Sequence, residues 1–337
     1  MKSSIFAAPR EDKPMLALGL LLIGVSLLAL QDSLIKLIAP DTSFWQLQTI
    51  RSTLNLTMIF LLAITTGGLG LLVPRRIGPA IARGLMLAIC MVFFFGASQQ
   101  ITITQMAAGL YTYPLFVTLL AGPFLGERIG IWRAGALLLG ALGSFTVLNP
   151  LADQFSLFQV APLLAGFFYA CNILILRRYC RHESPLALIF VVTFIFLTTG
   201  SVGAMVVSHL PLAAETRATV PFVLTGWPHL TSALLIMFGV FSILNLTGNL
   251  CLSRAYQTAD SSLLAPLDFV YLLFAAMWGR VLFEKWPTPW AVLGIVMIAA
   301  AGIITAVREQ HQKNKALGTV PQNDADGAAD GAADKDR

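Results

Sequence analysis

The chain has 337 residues, of which 57% are hydrophobic and only 12% charged, and its mean hydropathy is +0.77. A water-soluble domain carries about 25% charged residues; with so few, this chain cannot cover its own surface in water, which excludes a soluble fold and points to a polytopic membrane protein. The formal net charge of +5 does not signal nucleic-acid binding, because it arises from the unequal placement of basic residues in short loops.

A bilayer-crossing helix needs about 20 mostly apolar residues. Ten runs qualify, at roughly 15–37, 44–66, 80–99, 104–125, 131–149, 157–177, 186–208, 231–251, 262–283 and 288–307. The first run follows a basic N-terminus and imitates a signal peptide. No small-residue cleavage site follows it, so an uncleaved first span is expected. The third and fourth runs are separated only by the polar knot Ser98-Gln99-Gln100-Ile101-Thr102. The connection 209–230 is the longest; it contains three prolines and Trp227 and is expected to carry a small interfacial helix. From about Gln310 to residue 337 the text turns small, polar and repetitive, the composition of a disordered tail. The cysteines Cys90, Cys171, Cys180 and Cys251 show no metal or redox spacing.

Orientation follows from lysine and arginine placement. With the N-terminus in the cytoplasm, Arg75, Arg76, Arg83, Arg128, Arg133, Arg177, Arg178, Arg181 and Arg254 fall inside, and only Arg217, Arg280 and Lys285 fall outside. An even number of spans with both termini cytoplasmic satisfies this bias.

The stretch Ala107–Leu148 is echoed by Thr258–Val307. Each has an apolar run beginning near a proline (Pro114, Pro266) and closing on a glutamate (Glu127, Glu284), read as a cap to the turn. A second run follows with glycines eight apart (Gly135 and Gly143; Gly294 and Gly302) and a threonine three residues later (Thr146, Thr305). The expected fold is therefore an all-α membrane protein of ten transmembrane helices built as two inverted five-helix repeats, 15–149 and 157–307, followed by a 310–337 tail.

Charged groups within spans cost about 2.5–3.5 kcal/mol each on insertion scales, so they normally face a bundle interior or wet cavity. Asp32 and Lys36 are four residues apart, share a helix face and can pair. Lys36 also lies near enough to the outer end to reach the headgroups. Arg51, one turn inside the second span, is open to an ion pair with Asp32 or to a substrate contact. Asp268, the single acid of the ninth span, follows Pro266 and precedes Tyr271 by three residues, which puts Asp268 and Tyr271 on one face. A proline-interrupted helix beside a carboxylate suits binding, because freed backbone groups can line a cavity. Gln99, Tyr113, Tyr169, Asn172, Asn245 and Asn249 are further polar candidates for substrate contact or coupling. Phe93, Phe94 and Tyr111 lie near them and equally suit packing.

These residues carry a family likeness. Through TYPLFVTLLAGPFLGERIGIWRAGALLLGALG in the first half, RAYQTADSSLLAPLDFVYLLFAAMWGRVLFEKWPTPWAVLGIVMIAAAG in the second, and QDSLIKL followed by QLQTIRS near the start, the chain resembles the drug/metabolite transporter (DMT) superfamily, in its ten-span branch built from two EamA domains. The resemblance covers about 10–307. It implies a bacterial inner-membrane protein with a central cavity lined by spans 1, 3, 4, 6, 8 and 9, and substrates ranging over amino acids, nucleoside-like metabolites, riboflavin, S-adenosylmethionine and metallophores. The second half has no acid matching Asp32; Asn172 lies near the equivalent place.

The expected function is secondary transport of a small polar organic metabolite, in the export direction, by alternating access. Uptake of a vitamin or cofactor is the alternative, and a lipid flippase or membrane scaffold the other. No P-loop sequence supplies nucleotide energy. The histidines His182, His209, His229 and His311 sit in loops or the tail, and no metalloprotease or serine-hydrolase motif occurs, so an enzyme is not expected. No metal or cofactor is expected. The expected partners are a small-molecule substrate and the lipid bilayer.

Overall fold

The structure is a computed structural model, and it describes residues 14–66, 68–125, 131–148, 156–180, 183–258 and 264–318. These residues form helices α1 (Pro14–Ile38), α2 (Phe44–Thr66), α3 (Ile77–Gly96), α4 (Ile103–Leu110), α5 (Tyr113–Leu125), α6 (Ile131–Leu148), α7 (Ala161–Tyr179), α8 (Pro185–His209), α9 (Ala214–Thr219), α10 (Pro221–Leu224), α11 (Ser232–Thr258), α12 (Val270–Phe283) and α13 (Pro289–Gly318). Among the described residues there is no strand. Short 3-10 turns occupy Leu69–Leu72, Leu157–Val160 and Ala265–Phe269.

Seven helical segments are long and apolar enough to cross a bilayer: Met15–Ile38, Phe44–Thr65, Ile77–Gly96, Ile103–Leu120, Leu157–Tyr179, Leu186–His209 and Ser232–Leu252. Two shorter apolar helices, Ala134–Val147 and Pro289–Ile304, accompany them. Their outward faces are apolar. Leu138 and Leu142 on α6, Val202 and Met205 on α8, Ile236 and Ile243 on α11, and Val281 on α12 are all exposed. A monomeric protein in water does not present apolar surface on this scale; hydrocarbon is its natural solvent. The chain is a multi-pass membrane protein.

Helix pairing follows small residues, which let backbones approach where lipid offers no hydrophobic drive for association. α1 packs most extensively on α11, α3 on α7, α2 on α8 and α6 on α13. The α1–α11 crossing runs through Gly24 and Gly248: a Cβ on Gly24 would lie 2.8 Å from the Gly248 carbonyl oxygen. The α6–α13 crossing runs through Gly143 and Gly294: a Cβ on Gly143 would lie 2.8 Å from the Gly294 carbonyl oxygen. Both obstacles are backbone, so neither pair tolerates a side chain without moving the helices apart.

The connections gather at two ends. At one end the 209–231 connection folds over α2: Ser43 Oγ donates to Gly226 O (2.6 Å), Gln46 Nε2 to Pro228 O (2.8 Å) and Trp45 Nε1 to Val223 O (2.6 Å), with Phe222 fully buried beneath. Gln100 of the α3–α4 turn joins it, donating to Thr219 O at 2.7 Å. The helix expected in this connection is realised as the short α9 and α10. At the other end Glu183 accepts the backbone N–H groups of Arg75 and Arg76 at 2.7 and 2.8 Å, tying the α2–α3 connection to the start of α8.

Two expectations are corrected. The C-terminal helix does not stop near 307 but continues to Gly318, because the polar residues Arg308–Lys315 carry no helix breaker. The first residues of the expected 310–337 tail are thus helical, and 319–337 lies outside the described residues. The run 104–125 is not one helix but breaks at Tyr111–Thr112 between α4 and α5. Glu127 lies outside the described residues. Glu284 is the C-cap of α12, in the left-handed conformation at φ 56°.

Candidate functional site

The centre is built on Asp32 of α1. Its Oδ2 accepts a 2.6 Å hydrogen bond from the Tyr271 hydroxyl at the start of α12, and its Oδ1 accepts from Gln31 Nε2 at 3.1 Å. Neighbouring Ser33 is satisfied within the helix, donating to Ala29 O at 2.8 Å. Asp32 is half-buried, while Tyr271 is buried. Arg51 on α2, also buried, attracts the carboxylate through space. Its guanidinium donates directly to Gln48 Oε1, one turn back on the same helix. An acid, a phenol and a guanidinium from three helices thus converge at membrane depth, where each alone would be costly.

Aromatic rings continue the site. Tyr271 stacks on Tyr111 with centroids 5.0 Å apart and planes 14° from parallel. Tyr111 meets the edge of Phe269 at 5.6 Å and Tyr113 at 5.9 Å, and Tyr113 meets Tyr169 of α7 at 4.9 Å. Phe93 of α3 stacks on Phe168 of α7 at 5.7 Å, 5° from parallel. Tyr111, Tyr113 and Tyr169 are half-buried. The negative charge of Asp268 reaches all three of these tyrosines.

Irregular backbone delivers these groups. Tyr111 occupies the two-residue break between α4 and α5, where Thr112 Oγ1 turns back to Gly109 O at 2.6 Å. Asp268 and Phe269 occupy the 3-10 turn around Pro266, directly before Tyr271. Proline removes a donor and forbids the regular helical bond, so the chain changes pitch there. Non-helical backbone at membrane depth is tolerated only where it is buried in protein or lines a water-filled cavity.

The expected residues are distributed as follows. Asp32, Arg51, Tyr113, Tyr169, Asp268 and Tyr271 gather around the one aromatic cluster. The expected Asp32–Lys36 pair is not made. Lys36 points toward the α3–α4 turn, where Nζ donates to Ser98 O and to Ile101 O, the latter at 2.7 Å. Sharing a helix face put the two charges in reach, but the open carbonyls of a tight turn compete for the ammonium. Asp268 and Tyr271 both bear on Tyr111: Tyr271 stacks on its ring and faces Asp32, while the charge of Asp268 reaches Tyr111, Tyr113 and Tyr169. Asn172 is buried on α7, one turn past Tyr169, with its Oδ1 lacking a hydrogen-bond partner among the described residues. Asn249 is exposed and donates along its own helix to the Asn245 backbone carbonyl at 2.8 Å, while the Asn245 side chain is half-buried. Gln99 lines a separate cavity near one end of the bundle.

That cavity has a volume of about 630 Å³ and is walled by Lys36, Gln99, Thr102, Gly279, Phe283 and Lys285 among others. Thr102 is fixed there by a capping box with Gln105 at the start of α4: Gln105 N donates to Thr102 Oγ1 at 3.2 Å and Thr102 N donates to Gln105 Oε1 at 2.9 Å.

Gln31 and Gln48 belong to the site although the sequence does not single them out. Gln48 sits three residues before Arg51, the spacing at which an amide and a guanidinium meet on a helix. Tyr111, which by sequence suits packing and ligand contact equally, stacks on Tyr271. A carboxylate with phenol and amide donors, a nearby cation and several ring faces can hold a polar, ring-bearing molecule by charge, hydrogen bonding and stacking.

No protein-family model matches the chain. The chain is 27% identical to a riboflavin transporter of Vibrio cholerae over 216 residues, 64% of this chain and 65% of that protein. It therefore spans just under two thirds of that relative. It is 27% identical to the pseudopaline exporter CntI of Pseudomonas aeruginosa over 277 residues, 82% of this chain and 90% of that protein. It is 25% identical to an S-adenosylmethionine uptake transporter of Rickettsia bellii over 241 residues, 70% of this chain and 75% of that protein. A protein crystal structure with 18% identity superposes at a TM-score of 0.54, covering 88% of this chain and 98% of the other, a likeness of fold alone.

Proposed function

We propose that the chain is a secondary transporter of the drug/metabolite type, resident in a bacterial inner membrane with both termini cytoplasmic. It moves a small polar organic metabolite by alternating access. The observation that carries this reading is the Asp32–Tyr271 hydrogen bond, which joins the first helix to the ninth apolar run inside a cluster of half-buried tyrosines. A carboxylate and stacked phenols held between distant parts of the chain suit a binding centre better than a packing core.

The ten-span inverted duplication, 15–149 and 157–307, is part of the proposal. What supports it is the pairing of helices. Exchanging the halves sends the α1–α11 pair onto the α7–α3 pair, and sends α2–α8 and α6–α13 onto themselves. The two interrupted stretches, Tyr111–Thr112 before Pro114 and the 3-10 turn at Pro266, also correspond, as discontinuous helices do in transporters with inverted repeats.

Export is the proposed direction, favoured by the pseudopaline exporter, which aligns over more of its length than the other relatives described. Uptake is the second reading, favoured by the riboflavin and S-adenosylmethionine transporters. The substrate is an amino-acid-like or cofactor-like molecule bearing a ring or a positive group for Asp32. Asp32 and Asp268 are the candidates for coupling, Asp32 in contact with Tyr271 and Asp268 beside Tyr111, Tyr113 and Tyr169.

The test is a thermal-shift screen of the purified protein against amino acids, riboflavin, nucleosides and S-adenosylmethionine, since a ligand of the folded state stabilises it by mass action. Hits are then followed as flux in inside-out and right-side-out vesicles. A hit accumulated only by inside-out vesicles is the export result. Binding without flux in either orientation would defeat the transport reading.

A further inference from the structure

The cavity at the Lys36 end carries an electrostatic feature that the central site does not use. Two ammonium groups, Lys36 and Lys285, share its wall, and each is close enough to repel the other. Among the described residues no aspartate or glutamate lines it; Asp41 and Glu284 lie beside lining residues but outside the wall. Lys36 is held in place by the Ser98 and Ile101 carbonyls and lies 5.5 Å over the Phe283 ring. Carbonyls and a ring face are dipoles and quadrupoles; they orient an ammonium without cancelling its charge. The cavity thus has a positive charge held in place by carbonyls, a second, exposed one at Lys285, the Gln99 amide and Thr102 in its wall, and an aromatic ring at Phe283. Its volume of about 630 Å³ is that of a small-molecule site.

We propose that this vestibule is a binding site for a small organic anion, a carboxylate- or phosphate-bearing molecule with an apolar body, separate from the Asp32 centre. The anionic oxygens sit between Lys36 and Lys285, where they relieve the repulsion of the two ammonium groups, and the body packs on Phe283. The same chemistry could be met by a free anion or by the headgroup of an anionic lipid, since the cavity lies at one end of the bundle. The proposal does not rest on transport: binding at the vestibule is read without flux, so its failure and that of the proposed function are distinguishable.

The experiment uses the full chain in nanodiscs of phosphatidylcholine, titrated with benzoate and phenyl phosphate by calorimetry, with benzyl alcohol as the neutral probe. Both anions are expected to bind and benzyl alcohol not to. Affinity should fall with added salt, as for any partly exposed charge pair. Lys285→Gln, at an exposed position that carries no fold contact of note, should weaken the anions about tenfold, the equivalent of one charge-assisted contact. Lys36→Gln should weaken them further. Nanodiscs containing phosphatidylglycerol separate the sources. Loss of benzoate binding there assigns the site to a lipid phosphate, and undiminished binding assigns it to a soluble anion; either supports the site. Absence of anion binding in phosphatidylcholine, equal binding of benzyl alcohol, or undiminished affinity in the folded Lys285→Gln variant would overturn it.

Discussion

Replacing Tyr271 by phenylalanine removes one hydroxyl and nothing else. The hydroxyl donates at 2.6 Å to Asp32 Oδ2, and without it that carboxylate keeps the Gln31 amide as a donor and Arg51 as a through-space partner. A hydrogen bond to a charged group contributes about 1.5–3 kcal/mol, and water reaching a half-buried carboxylate recovers part of it, so about 1–2 kcal/mol should be lost. For a protein of this size that is a fall in Tm of about 2–6 °C. The decisive form is a double-mutant cycle in detergent, measured by thermal unfolding of the wild type, Tyr271→Phe, Asp32→Ala and the double variant. In the Asp32→Ala background the hydroxyl has lost its acceptor, so Tyr271→Phe should then cost no more than about 0.5 kcal/mol, within the range of independent sites. If instead the two single effects add, the first helix and α12 are not joined through this bond and the central constellation fails as described.

A small side chain at Gly294 meets the Gly143 carbonyl and the Val147 backbone nitrogen, the latter at 2.9 Å, so Gly294→Ala should destabilise by about 1–3 kcal/mol in a thermal-unfolding assay. Gly135→Ala, whose added carbon meets nothing within 4 Å, should stay within about 0.5 kcal/mol of wild type; equal losses at both would refute the crossing. Lys36→Met removes the donor shared by the Ser98 and Ile101 carbonyls and should raise hydrogen exchange of the 97–102 turn several-fold while leaving α6 and α13 unaffected. Arg51→Gln should weaken binding of any ligand found in the screen, or abolish it, through loss of the charge that steadies Asp32. Arg51→Lys should restore it only in part, because an ammonium does not keep the planar contact to Gln48.

The membrane class was legible because long apolar runs have one stable solution in hydrocarbon, and α1, α2, α3, α7, α8 and α11 follow those runs closely. Where polarity changed without a breaker, the text misled: Gln310 to Lys315 reads as tail but stays helical, because a polar stretch free of proline and glycine propagates a helix already started. The break at Tyr111–Thr112 left only a faint trace, a proline two residues later. Helical spacing put Asp32 and Lys36 on one face but could not reveal which neighbours compete for each. That choice is made by the α3–α4 turn and by Tyr271, far away in sequence. For the same reason the spacing of Asn245 and Asn249 does not reveal that the Asn249 amide turns back to the Asn245 backbone carbonyl along α11. Gln48 and Gln31 are not legible in the sequence, because an amide beside a charge carries no signal of its own until the partner's direction is known.

The central claim is that a ligand at the Asp32 centre is reached from one end of the bundle at a time. Counterflow tests it most directly. Proteoliposomes are loaded with an unlabelled ligand from the screen and diluted into a trace of the labelled compound, with no ATP and no imposed gradient. The account predicts transient accumulation of label above equilibrium, lost in Asp32→Ala. Accumulation that survives Asp32→Ala, or a ligand that binds yet shows no counterflow, would contradict it.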